Sequence, residues 1–209
     1  MGRSPREGKA THFQYSGLYS PWDSKRIGEM FIFFSNISVT SPYQCKAKQL
    51  TVNTAYGSIA LNNTDFQRAA LSSETAGIHV ERSRIHHLEI HNDSGDTVLF
   101  DNQLRYIRYF GDSGGLNALT DKIKGIWELS SDEGNIYIGT RKWHNNLLLQ
   151  LSSDEGTVKA FSKTKPWKET ISEALTEHEL ILLEGRGEHM LCADSQSGNI
   201  TLDTVKFAR

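Results

Sequence analysis

Apolar residues recur along this chain as two short alternations with a turn between them. Leu50 and Val52 precede Gly57, and Ile59 and Leu61 follow it. Nineteen residues on, the same order returns as Ala69, Leu71, Ala76, Ile78 and Val80. With the turn residue as anchor, the anchors are Ser38, Gly57, Ala76, Gly95, Gly114, Gly134, Gly156 and Gly198. Five columns keep apolar character at fixed offsets, namely seven and five before the anchor and two, four and nine after it. The column seven before holds Phe31, Leu50, Ala69, Leu88, Ile107, Trp127, Leu149 and Leu191. The column five before holds Phe33, Val52, Leu71, Ile90, Tyr109, Leu129, Leu151 and Ala193. In the first coil the columns after the anchor fall on Thr40 and Pro42, and in the seventh Lys165 breaks the last column.

Alternation on both sides of a glycine predicts strand, tight turn and strand, because side chains along a strand point to opposite faces in turn. The anchor glycine answers a need for positive φ or for close approach of another backbone. A unit of about 19 residues cannot bury its own apolar face, and stacked copies can. The prediction is an all-β, single-domain β-solenoid of about eight coils whose columns become ladders on one core. A β-sandwich also spaces strands regularly. It has no reason to hold five columns in register.

Two segments fall outside the repeat. Residues 1–29 carry Phe13, Tyr15, Tyr19 and Trp22 among polar residues and read as an N-terminal cap on a solenoid spanning 30–209. Residues 164–186 read as an insertion. Trp167, Ile171 and Leu175 recur every fourth residue behind Pro166, which predicts a short amphipathic helix near 167–178.

Composition narrows the function classes. The 209 residues carry 23 Lys plus Arg against 25 Asp plus Glu, a formal charge of −2, which argues against nucleic-acid binding by phosphate neutralisation. The longest apolar run, Met30–Phe34, is far short of the ~20 residues that span a bilayer. Met1–Ala10 is polar and basic with no apolar stretch behind it, so no signal peptide is read and the chain as given is expected in the cytoplasm. Cys45 and Cys192 leave open one disulfide or two buried thiols.

QLTVNTAYGSIAL (49–61), HLEIHNDSGDTVL (87–99), LLLQLSSDEGTVKA (147–160) and the closing GRGEHMLCADSQSGNITL (185–202) resemble an adhesin-type β-solenoid domain of unknown function, found in bacteria and some eukaryotes. The resemblance covers about residues 30–207. It implies a right-handed parallel β-helix-like solenoid, an adhesin-like role at the cell envelope or outside the cell, and no catalytic residues. Bactofilins, β-helical proteins that polymerise end to end, are a second relative, though their Gly-hydrophobic-Gly steps are sparse here.

Candidate chemistry is thin. SSDEG occurs at 130–134 and 152–156, and stacking in chain order would set Asp132 over Asp154 and Glu133 over Glu155. Such pairs suit Ca²⁺, but the ligand count of a dedicated site is lacking, and a solvated turn is the plainer reading. His87, Glu89 and His91 alternate on one outer face. They could bind zinc but lack a fourth ligand in register. Arg82, Arg84, Arg105 and Arg108, with Asp101 and Asp121 nearby, suggest an anion or glycan groove or simple surface charge ladders. Trp127 and Trp143 sit in core columns, and Trp22 and Trp167 are expected to cover the ends. No nucleophile–base spacing, metal site or cofactor motif emerges. The expected function is a non-enzymatic binding or scaffold module for a protein or glycan partner. Self-assembly through the solenoid ends and a carbohydrate-active β-helix enzyme are the alternatives.

Overall fold

The apolar columns dictate how the chain winds. The computed structural model describes residues 13–16, 30–31, 37–142, 146–161, 174–175, 178–183 and 185–204. Its strands are β1 (Phe13–Ser16), β2 (Met30–Phe31), β3 (Ile37–Thr54), β4 (Ile59–Ser73), β5 (Ile78–Glu81), β6 (Arg84–Asn92), β7 (Thr97–Phe100), β8 (Gln103–Gly111) and β9 (Leu116–Thr120). They continue as β10 (Ile126–Ser131), β11 (Ile136–Thr140), β12 (Leu147–Ser153), β13 (Val158–Phe161), β14 (Ala174–Leu175), β15 (Glu179–Leu183), β16 (His189–Ser195) and β17 (Ile200–Thr204). No helix occurs among the described residues.

Equivalent strands of neighbouring coils pair in parallel and build two facing layers. Layer A runs β2, the later part of β3, the later part of β4, β6, β8, β10, β16 and β12. Layer B runs β1, the early part of β3, the early part of β4, β5, β7, β9, β11, β17 and β13. β3 and β4 are long because each passes through both layers. This is the β-solenoid the columns predict. From Leu50 onward, the two apolar columns of layer A are at most 2 % exposed. Burying each Leu, Ile or Val of such a ladder contributes about 1.5–3 kcal/mol.

The turns explain the anchor column. Ser131, Ser153 and Ser195 are buried, and each Oγ accepts the N–H of the following anchor glycine at 2.9–3.0 Å. None of the anchors has positive φ. What excludes a side chain is stacking. A Cβ at Gly95, Gly114, Gly134, Gly198 or Gly156 would fall under 3.0 Å from backbone of the neighbouring turn. Positive φ belongs instead to the opposite corner, at Asn63 (55°), Arg82 (48°) and Asp101 (52°). There Thr64, Ser83 and Asn102 form a buried polar ladder: the Thr64 N–H donates to Ser83 Oγ at 3.1 Å, and the Ser83 N–H to Asn102 Oδ1 at 2.8 Å.

Three features depart from the sequence-based expectation. In the first coil, Ile37 and Val39, not Thr40 and Pro42, stand opposite Ile59 and Leu61, and Met30 stands opposite Val52 where the columns place Phe33. An irregularity between Thr40 and Cys45 absorbs the offset in the register. At the end of the expected helix, Ala174–Leu175 is a strand, antiparallel to β15, which is itself antiparallel to the outer edge of β12. Open backbone donors and acceptors on that edge favour strand over helix. Residues 164–173, 176–177 and 184 of the expected insertion lie outside the described residues.

The third departure is the order of the coils. β16 pairs with β10 on one side and β12 on the other, and β17 likewise lies between β11 and β13. The C-terminal coil is therefore interleaved between two earlier ones. β15 and β16 flank β12 from both sides, and the loop joining them crosses the start of β12. Asn146 pins that crossing: its Oδ1 accepts the Arg186 N–H at 3.3 Å, its Nδ2 donates to Glu188 at 3.2 Å, and its carbonyl accepts the His189 N–H at 2.9 Å. Gly185 (φ 68°) and Gly187 (φ 63°) supply the left-handed conformations the crossing needs.

Candidate functional site

Interleaving rearranges the candidate calcium residues. Backbone bonds from Gln196 N–H to the Ser131 carbonyl (3.1 Å) and from Asp154 N–H to the Ser195 carbonyl (3.1 Å) place Gln196 between Asp132 and Asp154. Ser197 falls between Glu133 and Glu155 in the same way. The stacked pairs that chain order implies are thus two rungs apart, about 9–10 Å. Among the described residues, no group of three or more His, Cys, Asp or Glu could hold a metal ion.

His87, Glu89 and His91 do lie on the outer face of β6, as alternation requires. They do not converge. His87 stacks on Tyr106 with ring centroids 4.3 Å apart, His91 Nε2 sits 3.0 Å from Asp93, and Glu89 stands opposite Arg108 in the ladder. The arginines are largely matched with carboxylates. Arg82 meets Glu81 at 2.9 Å, Arg84 lies 3.6 Å from Asp65, and Arg108 meets Glu128 at 3.1 Å. Asp101 and Asp121 face Arg141, at 3.5 and 3.9 Å. These are surface charge ladders, which leave little of an anion groove. Trp127 is a core residue whose Nε1–H donates to the Lys124 carbonyl at 3.1 Å. Trp22, Trp143 and Trp167 lie outside the described residues.

Cys192 is a free, half-buried thiol that donates to Gln150 Oε1 at 3.2 Å. Burial pushes its pKa up, with Glu128 and Asp194 adding to the effect. Its ladder runs Cys192, Glu128, Arg108, Glu89, Ala70 and Thr51, so five rungs, about 24 Å, separate it from the strand that carries Cys45. A disulfide holds Cα atoms within about 7 Å, so these two cysteines do not form one.

What the outer face of layer A does assemble is an apolar stripe. Tyr106, Ile126, Met190, Leu148 and Leu183 occupy five successive rungs of one column, in direct register. Ile126 is 39 % and Leu183 51 % exposed, and Phe110, two columns away, is 43 % exposed. Beside the stripe, Glu128 Oε2 accepts bonds from the Tyr106 hydroxyl at 2.9 Å and from Arg108 Nε at 3.1 Å. The pKa of Tyr106 is raised by its partial burial and then by the Glu128 carboxylate. Farther along, Gln150, Ser152, Glu179, Ile181, Cys192 and Asp194 line a shallow depression of about 300 Å³. Sequence reasoning missed this face although its signal is present, since Tyr106, Ile126, Leu148 and Met190 all stand eight before their anchors. Interleaving sets Met190 between Ile126 and Leu148, and the antiparallel β15 adds Leu183.

The family model Toastrack DUF4097 matches residues 34–203, the span of the ladders. The chain belongs to the Toastrack DUF4097 family. The Toastrack domain is a domain of unknown function with a β-solenoid-like fold, so membership accounts for the stacked coils and assigns no adhesin activity. No curated protein and no solved structure matches the chain. Among the described residues of this Toastrack domain, no helix is long and apolar enough to cross a membrane.

Proposed function

We propose that this Toastrack domain is a non-enzymatic binding or scaffold module that receives a protein partner on the outer face of layer A. The observation that carries the reading is the stripe of Tyr106, Ile126, Met190, Leu148 and Leu183, five successive rungs of one outer column. Aromatic and methionine side chains beside an arginine are the composition enriched at protein interfaces. Hydrogen-bonded strands hold the stripe in register, so little entropy is lost on this side when a partner docks. The ion pair of Arg108 and Glu128 beside it supplies a polar rim.

Cross-linking mass spectrometry of the domain in its native extract, with Ile126→Lys/Leu183→Lys as control, tests this. Cross-links to one protein that map to layer A and vanish in the variant, with its melting temperature unchanged, are the expected result. A variant that keeps every partner overturns the reading. Sedimentation of the purified chain separates partner binding from self-assembly.

A further inference from the structure

The apolar ladders do not by themselves dictate the interleaved order. Moving the C-terminal coil to the outside would set Trp127 against Leu149, Leu129 against Leu151, Gly134 against Gly156 and Ile136 against Val158. Every ladder keeps the same residues in permuted order, and the largest change of size is Leu151 in place of Ala193 beside Leu129. The core is therefore nearly degenerate between the two orders, and the identical SSDEG turns make it more so.

Charge on the turns is not degenerate. The seven turns at 54–58, 73–77, 92–96, 111–115, 131–135, 153–157 and 195–199 contain eight carboxylates and no Lys or Arg. Glu74, Asp93, Asp112 and Asp132 already stack one carboxylate per rung. His91 beside Asp93, and His178, whose Nδ1 lies 2.7 Å from the Gly156 carbonyl, are the imidazoles at this edge among the described residues. The adjacent column runs Thr75, Ser94, Ser113, Glu133, Ser197 and Glu155, so both glutamates have serine neighbours. Chain order would bring the two doubly acidic turns together and stack two pairs of carboxylates about 4.8 Å apart with no cation between them. The 195–198 turn, with Gln196 and Ser197, carries no charge.

We infer that turn charge selects the order of the coils: Gln196 and Ser197 form an uncharged spacer that favours the C-terminal coil between the two SSDEG coils. The device is built into the fold and acts without any ligand.

The full-length chain provides the test. Glu128 stands opposite Cys192 only in the interleaved order, so Glu128→Cys and the native thiol should join through a short thiol–thiol cross-linker. In that background, Gln196→Glu/Ser197→Glu combined with Asp154→Asn/Glu155→Gln exchanges the charges of two turns, so the interleaved order now stacks doubly acidic turns and chain order separates them. At low ionic strength the cross-linked fraction should fall several-fold, or the melting temperature should drop if the chain no longer folds. Adding salt, or adding Asp132→Asn/Glu133→Gln, should restore either readout, because both reduce the repulsion. Unchanged cross-linking and melting in the charge-exchanged chain would overturn the inference. So would a loss that neither salt nor neutralisation reverses, since Gln196 and Ser197 would then act through packing.

Discussion

The phenol of Tyr109 fills the space that Gly111 leaves empty. A Cβ on Gly111 would fall under 3.0 Å from the Tyr109 hydroxyl and ring. Where other turns use a serine hydroxyl at the position of Gly111, this one uses the Tyr109 hydroxyl, which donates to the Gly114 carbonyl at 3.1 Å. One residue's missing side chain is compensated by its neighbour's long one. Gly111→Ser should therefore destabilise the domain by about 1–3 kcal/mol through overpacking. Tyr109→Leu/Gly111→Ser should recover much of that loss by restoring the arrangement of the neighbouring turns. Urea unfolding of the single and double variants measures the coupling, and additive losses would contradict it.

The same phenol should give alkaline sensitivity. Burial pushes the Tyr109 pKa up to about 12, Asp96 and Asp112 add to the rise, and a hydrogen bond with Thr97 opposes it. The unfolded chain ionises tyrosine near pH 10. Between those values the unfolded state holds fewer protons than the folded one, so stability is full below about pH 10 and declines as pH rises towards about 12. Tyr109→Phe should flatten part of that decline, seen as a smaller slope of unfolding free energy against pH.

Glycines of the turns should tolerate alanine unequally, the anchor Gly134 less than Gly115, which follows an anchor. A Cβ at Gly134 would meet the Gly114 carbonyl under 3.0 Å, while one at Gly115 would meet the Asn135 carbonyl at 3.2 Å. Gly134→Ala should cost about 1–3 kcal/mol, and Gly115→Ala distinctly less. Chemical denaturation of both variants ranks them directly.

Ile90 and Leu129 are at most 1 % exposed and lie in one ladder of layer A, with Tyr109 between them. An aspartate at either would bury a charge with no partner, and the chain should lose its cooperative melt. A variant with unchanged melting would mean that the inward columns had been assigned to the wrong face.

Alkylation of the unreduced, denatured chain should label both cysteines. In the native protein the raised pKa and partial burial of Cys192 should slow its reaction with thiol reagents relative to a free thiol. A mass that shows fewer than two labels without reductant would contradict the five-rung separation from the strand of Cys45.

Local chemistry wrote most of the fold into the sequence. Alternation around the anchors determined two strands per coil, the inward faces of Leu50, Ile90 and Leu129, and the need for close backbone approach at the turns, because each depends on neighbours within one coil or on a constant step to the next. The outward placement of His87, Glu89 and His91 was legible for the same reason. The tertiary structure alone decided which coil lies beside which. Equal apolar columns accept Leu149 or Leu191 beside Trp127 with little difference, so spacing cannot rank the two orders. That choice separated Asp132 from Asp154 and set Met190 between Ile126 and Leu148. The antiparallel docking of β15, which adds Leu183 to the stripe, likewise rests on a contact between residues far apart in the chain.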